Sequence, residues 1–400
     1  MASELEAVCN LNSGSDSLGG LLRVAEWLVD YFAPLGGALE RISLPTFQRL
    51  DDEAIVSTHT TGPAFRWNFP GSHSGKKGRI LLSIHYDTVY GPSSPFQKCE
   101  RYDVPLSGGD MELRMRGPGV IDAKGGIVVL RWGVMAALKF LDLSQLDLSI
   151  VLTPDEEIGS PSSIALWNQI APEFDFAMLY EPTLADGTLV SHRKGTGTFV
   201  VVVHGKAAHS GRNFQDGRNA IVCASKLAVA LDSLNGQRPE VTINVGRVRG
   251  GNAVNVVPDL AVLRVNVRVS SHTDMAWLEN KVRETVQAFQ NPEAGFLVEL
   301  HGGLQAAPKV QDSATTHWMS VVESAAAALS EKVQWRVSGG ASDGNKLAAL
   351  GLSNIDTFGP EGDLLHSGQE WVRLSSLPRK AALTASMLSE CVKHFQFAGG

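Results

Sequence analysis

The sequence predicts an α/β protein whose mixed, mostly parallel sheet is interrupted by a smaller ferredoxin-like α+β domain, and three observations predict it. First, the near-continuous apolar runs RILLSIHYDTVY, LDLSIVLTPDEE and FDFAMLYEP are separated by the helical stretches GGIVVLRWGVMAALKFL and SPSSIALWNQI. Strands that are apolar on both faces belong to parallel sheets covered by helices. Second, from about residue 195 the order changes to β-α-β-β-α-β, which is the ferredoxin-like arrangement. Third, the α/β alternation returns after about residue 306. The expected organisation is a larger domain built from residues 1–194 and 306–400, with residues 195–305 inserted as a second domain.

Each element has a local reason. LGGLLRVAEWLVDYFAPLG carries helical periodicity and stops at Pro34 and Gly36, and LERISLPTF after it reads as a strand. The insert reads as strand TFVVVVHGKAA, helix NAIVCASKLAVALDSL, strands VTINVGRV and AVLRVNVRV, helix MAWLENKVRETVQAFQ and strand FLVELHG. Helix TTHWMSVVESAAAALS, strand VQWRVS, helix DGNKLAAL, strand NIDTF and a long helix from Leu377 complete the chain.

Composition narrows the function classes. At 44% hydrophobic and 19% charged residues over 400 positions, the chain has material for more than one core and is not disordered. Its 35 basic and 42 acidic residues leave a net charge of −7, which disfavours a nucleic-acid partner and a basic membrane-surface protein. The longest apolar stretch is broken by Arg131 and Lys139, short of the roughly 20 residues a membrane span needs. MASELEAVCN carries acids in place of a basic leader, so a cytoplasmic protein without a secretory signal is expected. Cys9, Cys99, Cys223 and Cys391 lie far apart without metal spacing, which suits a reducing compartment.

In open parallel sheets, ligands bind beyond the carboxyl ends of the strands. That is where the polar residues fall: His85 and Asp87, then Glu156 and Glu157, then Glu181, with Asp122 and His366 in loops. Mixed histidine and carboxylate ligands suit hydrolytic zinc, or a similar ion such as Mn²⁺ or Co²⁺. Strand alternation puts His85 and Asp87 on one side, so Asp87 can accept the imidazole N–H and orient the ring. Glycines crowd Asp122 and Lys124 in GPGVIDAKGG, as where backbone passes close to an ion. Glu156 and Glu157 point in different directions, so one can ligate metal while the other handles a proton. Glu181 precedes Pro182, which holds an extended backbone. Taken singly, HYDTVY is as readily a polar strand end with a satisfied histidine, GPGVIDAKGG an ordinary strand-to-helix turn, and adjacent acids are more often a solvated turn; their conjunction and order are specific.

With HYDTVY, GPGVIDAKGG, TPDEEIGS, YEPT, GKAAHSG, NAVNVVPD with NVR downstream, SGGASDG and LLHSGQE in this order, the chain resembles the di-zinc metallopeptidases. That family includes bacterial glutamate carboxypeptidases, acetylornithine deacetylase, succinyl-diaminopimelate desuccinylase and aminoacylases. The resemblance covers nearly the whole chain and is nearest to the glutamate carboxypeptidases. It implies a three-layer zinc-peptidase domain interrupted by a lid that often dimerises, and two zinc ions per subunit. His85 and Glu181 would complete one metal site, Glu157 and His366 the other, and Asp122 would bridge them. Glu156 matches the general base and Asp87 the residue that orients His85, while Asp122–Ala123 matches a cis peptide bond. On the lid, His209 matches the oxyanion donor, in relatives commonly supplied across a dimer. Arg268 and Asn255 match residues holding the substrate's carboxylate and carbonyl, with Arg264 and Arg249 as rivals read as solvated.

The function implied is hydrolysis of an amide bond to release a C-terminal, glutamate-like amino acid from an acyl or peptidyl donor. The alternative is an N-acyl amino-acid deacylase of the acetylornithine or succinyl-diaminopimelate type. A catalytically silent binding protein is disfavoured, because Asp122, Glu156, Glu157 and His366 are all present.

Overall fold

The computed structural model describes residues 1–75, 77–106 and 108–397. Its main sheet has six strands in the order Ala38–Ile42, Ala64–Phe69, Leu146–Thr153, Gly78–His85, Phe176–Leu179 and Asn354–Ile355. The last four run parallel, and the first two pair antiparallel along one edge, so the sheet is mixed as expected.

Alternation along the central strand builds the layers. Ile80, Leu82 and Ile84 pack with the helices Leu18–Phe32, Lys124–Phe140, Ser313–Ala327 and Ser376–Phe397 through Leu28, Val128, Trp318 and Met387. Leu81, between them in sequence, faces the other way onto Trp167 and Leu347 of the helices Ser163–Ile170 and Asp343–Ala349. Helices therefore cover both faces, which is why these strands carry no polar face.

Residues 195–306 contain a separate antiparallel sheet of strands Thr242–Gly250, Leu260–Val269, Gly195–His204 and Leu297–Ala306, in that spatial order. The helices Ala220–Asp232 and His272–Gln287 pack on it through Ala224, Leu227, Leu278 and Val282. Asn219 and Ser271 cap those helices by accepting from Val222 N at 3.1 Å and Asp274 N at 3.0 Å.

Several elements differ from the sequence reading. LERISLPTF divides at Pro45 into two strands of different sheets, Ala38–Ile42 and Phe47–Leu50, because proline cannot donate to a ladder. MASELEAVC forms a helix, Ala2–Cys9, held by burial of Leu5, Val8 and Cys9. Strands Val56–His59 and Glu100–Pro105, largely exposed, and Met111–Arg116, with only Met115 fully buried, were not legible as apolar runs. No helix among the described residues is long and apolar enough to cross a membrane.

Candidate functional site

Three parallel strands, Gly78–His85, Leu146–Thr153 and Phe176–Leu179, end side by side, and the predicted polar residues meet just beyond them. His85 is buried as the last residue of its strand. Asp87 Oδ1 lies 3.2 Å from His85 Nδ1, which leaves Nε2 facing Asp122 Oδ1 at 3.1 Å and Glu181 Oε2 at 3.8 Å. Asp87 also accepts from Glu156 N at 3.1 Å, Glu157 N at 3.2 Å and Ser15 Oγ at 2.6 Å. Asp87 thus meets the imidazole through its backbone carbonyl, 3.1 Å from Nδ1, as well as its carboxylate, and the carboxylate holds the turn that bears both glutamates.

Asp122 stands at the start of helix Lys124–Phe140, and its peptide bond to Ala123 is cis. Its second oxygen, Oδ2, is 3.2 Å from His366 Nε2, which is itself 3.2 Å from Glu157 Oε2. Asp122 therefore lies between two imidazoles. His366 reaches in from a loop with φ 60°, a left-handed conformation uncommon outside glycine. Ligand atoms of His85, Asp122 and Glu157 all fall within 4.8 Å of one another.

His85 and the carboxylates are largely withdrawn from water, while the His366 side chain is 55% exposed. Burial and the neighbouring Asp122 charge push Glu157 up to about 8. Burial raises Glu181, and raises Glu156 well above its ordinary value. Burial would raise Asp122 as well, but hydrogen bonds from His366 and His85 outweigh it and hold that carboxyl down. The Asp122 and Glu157 carboxylates push His366 up to about 11. Glu157 Oε1 is buried without a hydrogen-bond partner. Carboxylates Asp87, Asp122, Glu156, Glu157 and Glu181 outnumber the two imidazoles, so the residues present fit a divalent cation, held by nitrogen and oxygen donors.

The residues predicted on the insert form a second group. His209 and Val256 pair across a two-stranded ladder, and Ser210 N donates to Asn255 O at 3.0 Å, so His209 and Asn255 are neighbours, both exposed. The hydrogen bonds described for His209 run to Gly211, Arg212 and Asn213, and none reaches the metal-ligand cluster. Arg268 Nη1 lies 3.5 Å from Gly339 O in the SGGASDG segment, joining the insert to a loop of the larger domain. Arg264 is not solvated as read from the sequence: its Nε donates to Asp52 Oδ1 at 2.8 Å, and its Nη2 to Leu50 O.

Two contributors escaped the sequence reading. Glu370, fully buried, accepts from Ile121 N at 3.0 Å, Asp122 N at 3.1 Å and Tyr90 Oη at 2.6 Å, which ties the His366 loop to the Asp122 turn. Lys346 donates to Asp343 Oδ1 at 2.7 Å and Ser160 Oγ at 2.6 Å behind the Glu156 turn. The only signals were a glutamate in HSGQE and a lysine in SDGNK, neither of which reveals burial.

Residues 191–293 match the peptidase dimerisation domain of the M20 family. Over 395 residues the chain is 25% identical to carboxypeptidase G2 of Pseudomonas sp. strain RS-16, covering 96% of this chain and 88% of that protein. A probable carboxypeptidase of Paracoccidioides brasiliensis is 29% identical over 287 residues, which span 66% of this chain and 59% of that protein. Among solved structures, an M20 family metallo-carboxypeptidase from Sulfolobus solfataricus has the same fold, with a TM-score of 0.74, 16% identity and coverage of 98% and 99% of the two chains. A tripeptidase from Staphylococcus aureus gives 0.71 at 18% identity, covering 98% of each chain. With its own cluster of candidate metal ligands, this chain is a hydrolase homologous to the M20 family metallopeptidases.

Proposed function

We propose that the protein is a glutamate carboxypeptidase-like hydrolase that cleaves an amide bond to release a C-terminal amino acid. The observation that carries this reading is Asp122 between His85 and His366, with Glu157 and Glu181 alongside and Glu156 left over beside the cluster. In this reading His85, Asp122 and Glu181 would hold one zinc ion, and Asp122, Glu157 and His366 would hold a second; Mn²⁺ or Co²⁺ could substitute. When bound, two such ions supply a Lewis acid for the scissile carbonyl and lower the pKa of water at the site.

The protein's own groups do the rest. Asp87 keeps Nδ1 of His85 engaged, so Nε2 is the ring atom presented to the cluster. Glu156 accepts a proton from the attacking water and delivers it to the departing amine nitrogen, since an amide nitrogen leaves poorly as an anion. Residues 195–305 act as a lid and dimerisation domain between 1–194 and 306–400. From it His209 donates to the developing oxyanion. Arg268 takes the substrate's carboxylate with the bidentate geometry of a guanidinium, and Asn255 its carbonyl. The exposure of His209 and Asn255 within one chain supports their acting across a homodimer. Four unpaired cysteines support a reducing, cytoplasmic setting.

The test is mass spectrometry of products after zinc-loaded protein meets N-acetyl amino acids, N-succinyl-diaminopimelate, α- and γ-glutamyl peptides and aroyl-glutamates. Release of glutamate from bulky donors is expected. Loss of acetyl or succinyl groups alone would make the protein an N-acyl amino-acid deacylase instead.

A further inference from the structure

The segments that lead into and out of residues 195–305 meet at one point. Arg193 N donates to Lys309 O and Lys309 N to Arg193 O, each at 3.0 Å. Both side chains converge on one carboxylate: Arg193 Nε is 2.7 Å and Lys309 Nζ 3.0 Å from Asp356 Oδ2, and Ser342 Oγ donates to the same oxygen at 3.2 Å. Asp356 is 0% exposed, Lys309 2% and Arg193 8%. Beside them Asn345 Nδ2 donates to Lys194 O at 3.2 Å and Ala307 O at 2.8 Å, one carbonyl from each segment.

The same node reaches the metal-ligand cluster. Glu181 N donates to Asp356 O at 3.1 Å, so Asp356 holds the two connecting segments through its carboxylate and the Glu181 strand end through its carbonyl. Arg193 Nη1 also donates to Gly340 O at 3.3 Å, next to the Gly339 carbonyl that Arg268 approaches. Two buried cations share this carboxylate, and Arg193 is also within the field of the Glu181 and Glu156 carboxylates. An apolar trio would fill the space without the cost of desolvating three charges, so stability is a poor reason for this arrangement. What the ions supply and an apolar trio does not is a directional link among three segments.

We propose that Asp356 is a positioning residue, which locks both connecting segments to the strand end that presents Glu181 and so sets the lid's orientation relative to the metal cluster. The proposal rests on reading residues 195–305 as a lid over that cluster.

Hydrogen–deuterium exchange on the full chain tests it without relying on turnover. In Asp356→Asn, the segments 190–196 and 305–311 are expected to exchange at least 10-fold faster relative to the core segments 146–153 and 199–203, with bound metal at the wild-type level. Lys309→Met keeps the Arg193–Asp356 pair and removes the link from the outgoing segment to Asp356. It is expected to accelerate 305–311 relative to the same core segments and to leave the Glu181 amide unchanged; it decides the matter alone if the first variant does not fold. Equal acceleration of all four segments, or none in the connecting segments, would overturn the proposal. Amide hydrolysis does not enter the readout, so failure of the proposed activity would leave this result standing.

Discussion

Glu156 and Glu157 are chain neighbours in one 3₁₀ turn with different surroundings: Glu157 meets His366, while the charges that act most strongly on Glu156 belong to His85, Glu181 and Lys346. Glu156→Gln keeps the shape and removes the proton acceptor. Its kcat is expected to fall by about 10²- to 10⁴-fold with metal content unchanged by atomic absorption; metal lost in parallel would make Glu156 a ligand. Lys380 illustrates a different effect of burial. Loss of water holds its amine down at about 8, against the pull of Glu361. Unfolded, the amine titrates near about 10.4, so between those values the unfolded chain binds more protons and stability rises with pH, the deficit being fully present below pH 8. Glu361 keeps Arg373 and Arg379 as partners without Lys380. Lys380→Met is therefore expected to raise the melting temperature at pH 7, by an amount worth up to about 3 kcal/mol, and the gain should shrink towards pH 10 in calorimetric scans. At this scale His85 and Asp87 were legible, because a period of two puts them on one side. Glu370 was not, because its partner Ile121 lies 249 residues away in the chain.

Helix Lys124–Phe140 presents Asp122 at its start and packs along helix Ser376–Phe397. At Gly133 the two come so close that an added Cβ would lie 2.4 Å from Thr384 Cβ and 3.0 Å from Ala381 O. Alanine is the better helix former by about 1 kcal/mol, but overpacking a buried contact costs about 1–3 kcal/mol. Gly133→Ala is therefore expected to lower stability in urea titrations, and a variant at least as stable as the wild type would mean that the helices separate freely. The buried parallel strands were legible because both of their faces are apolar. The hairpin of Phe47–Leu50 with Val56–His59 was not, since its residues stay largely exposed and its tip is held by Arg247 and Arg264 on Asp52, charges remote in sequence.

Across the whole molecule, the Asp122 turn is held by Glu370 and met by His366, both far along the chain, so a bound cation should stabilise the fold as a unit. Removing metal with a chelator is expected to lower the melting temperature by several degrees, since a ligand at a thousandfold excess over its Kd contributes about 4 kcal/mol. An unchanged melting temperature would mean that the cluster binds no ion. Order and type of the main elements, and the identity of the residues meeting at the strand ends, were determined by the sequence alone, because burial on both faces and strand period are local properties written in consecutive residues. Which carboxylates tie distant segments together was decided by tertiary structure: Glu370 on the Asp122 turn, Asp52 on Arg264, and Asp356 on Arg193 and Lys309. Each joins segments far apart in the chain, and such a carboxylate finds its partners only when those segments pack.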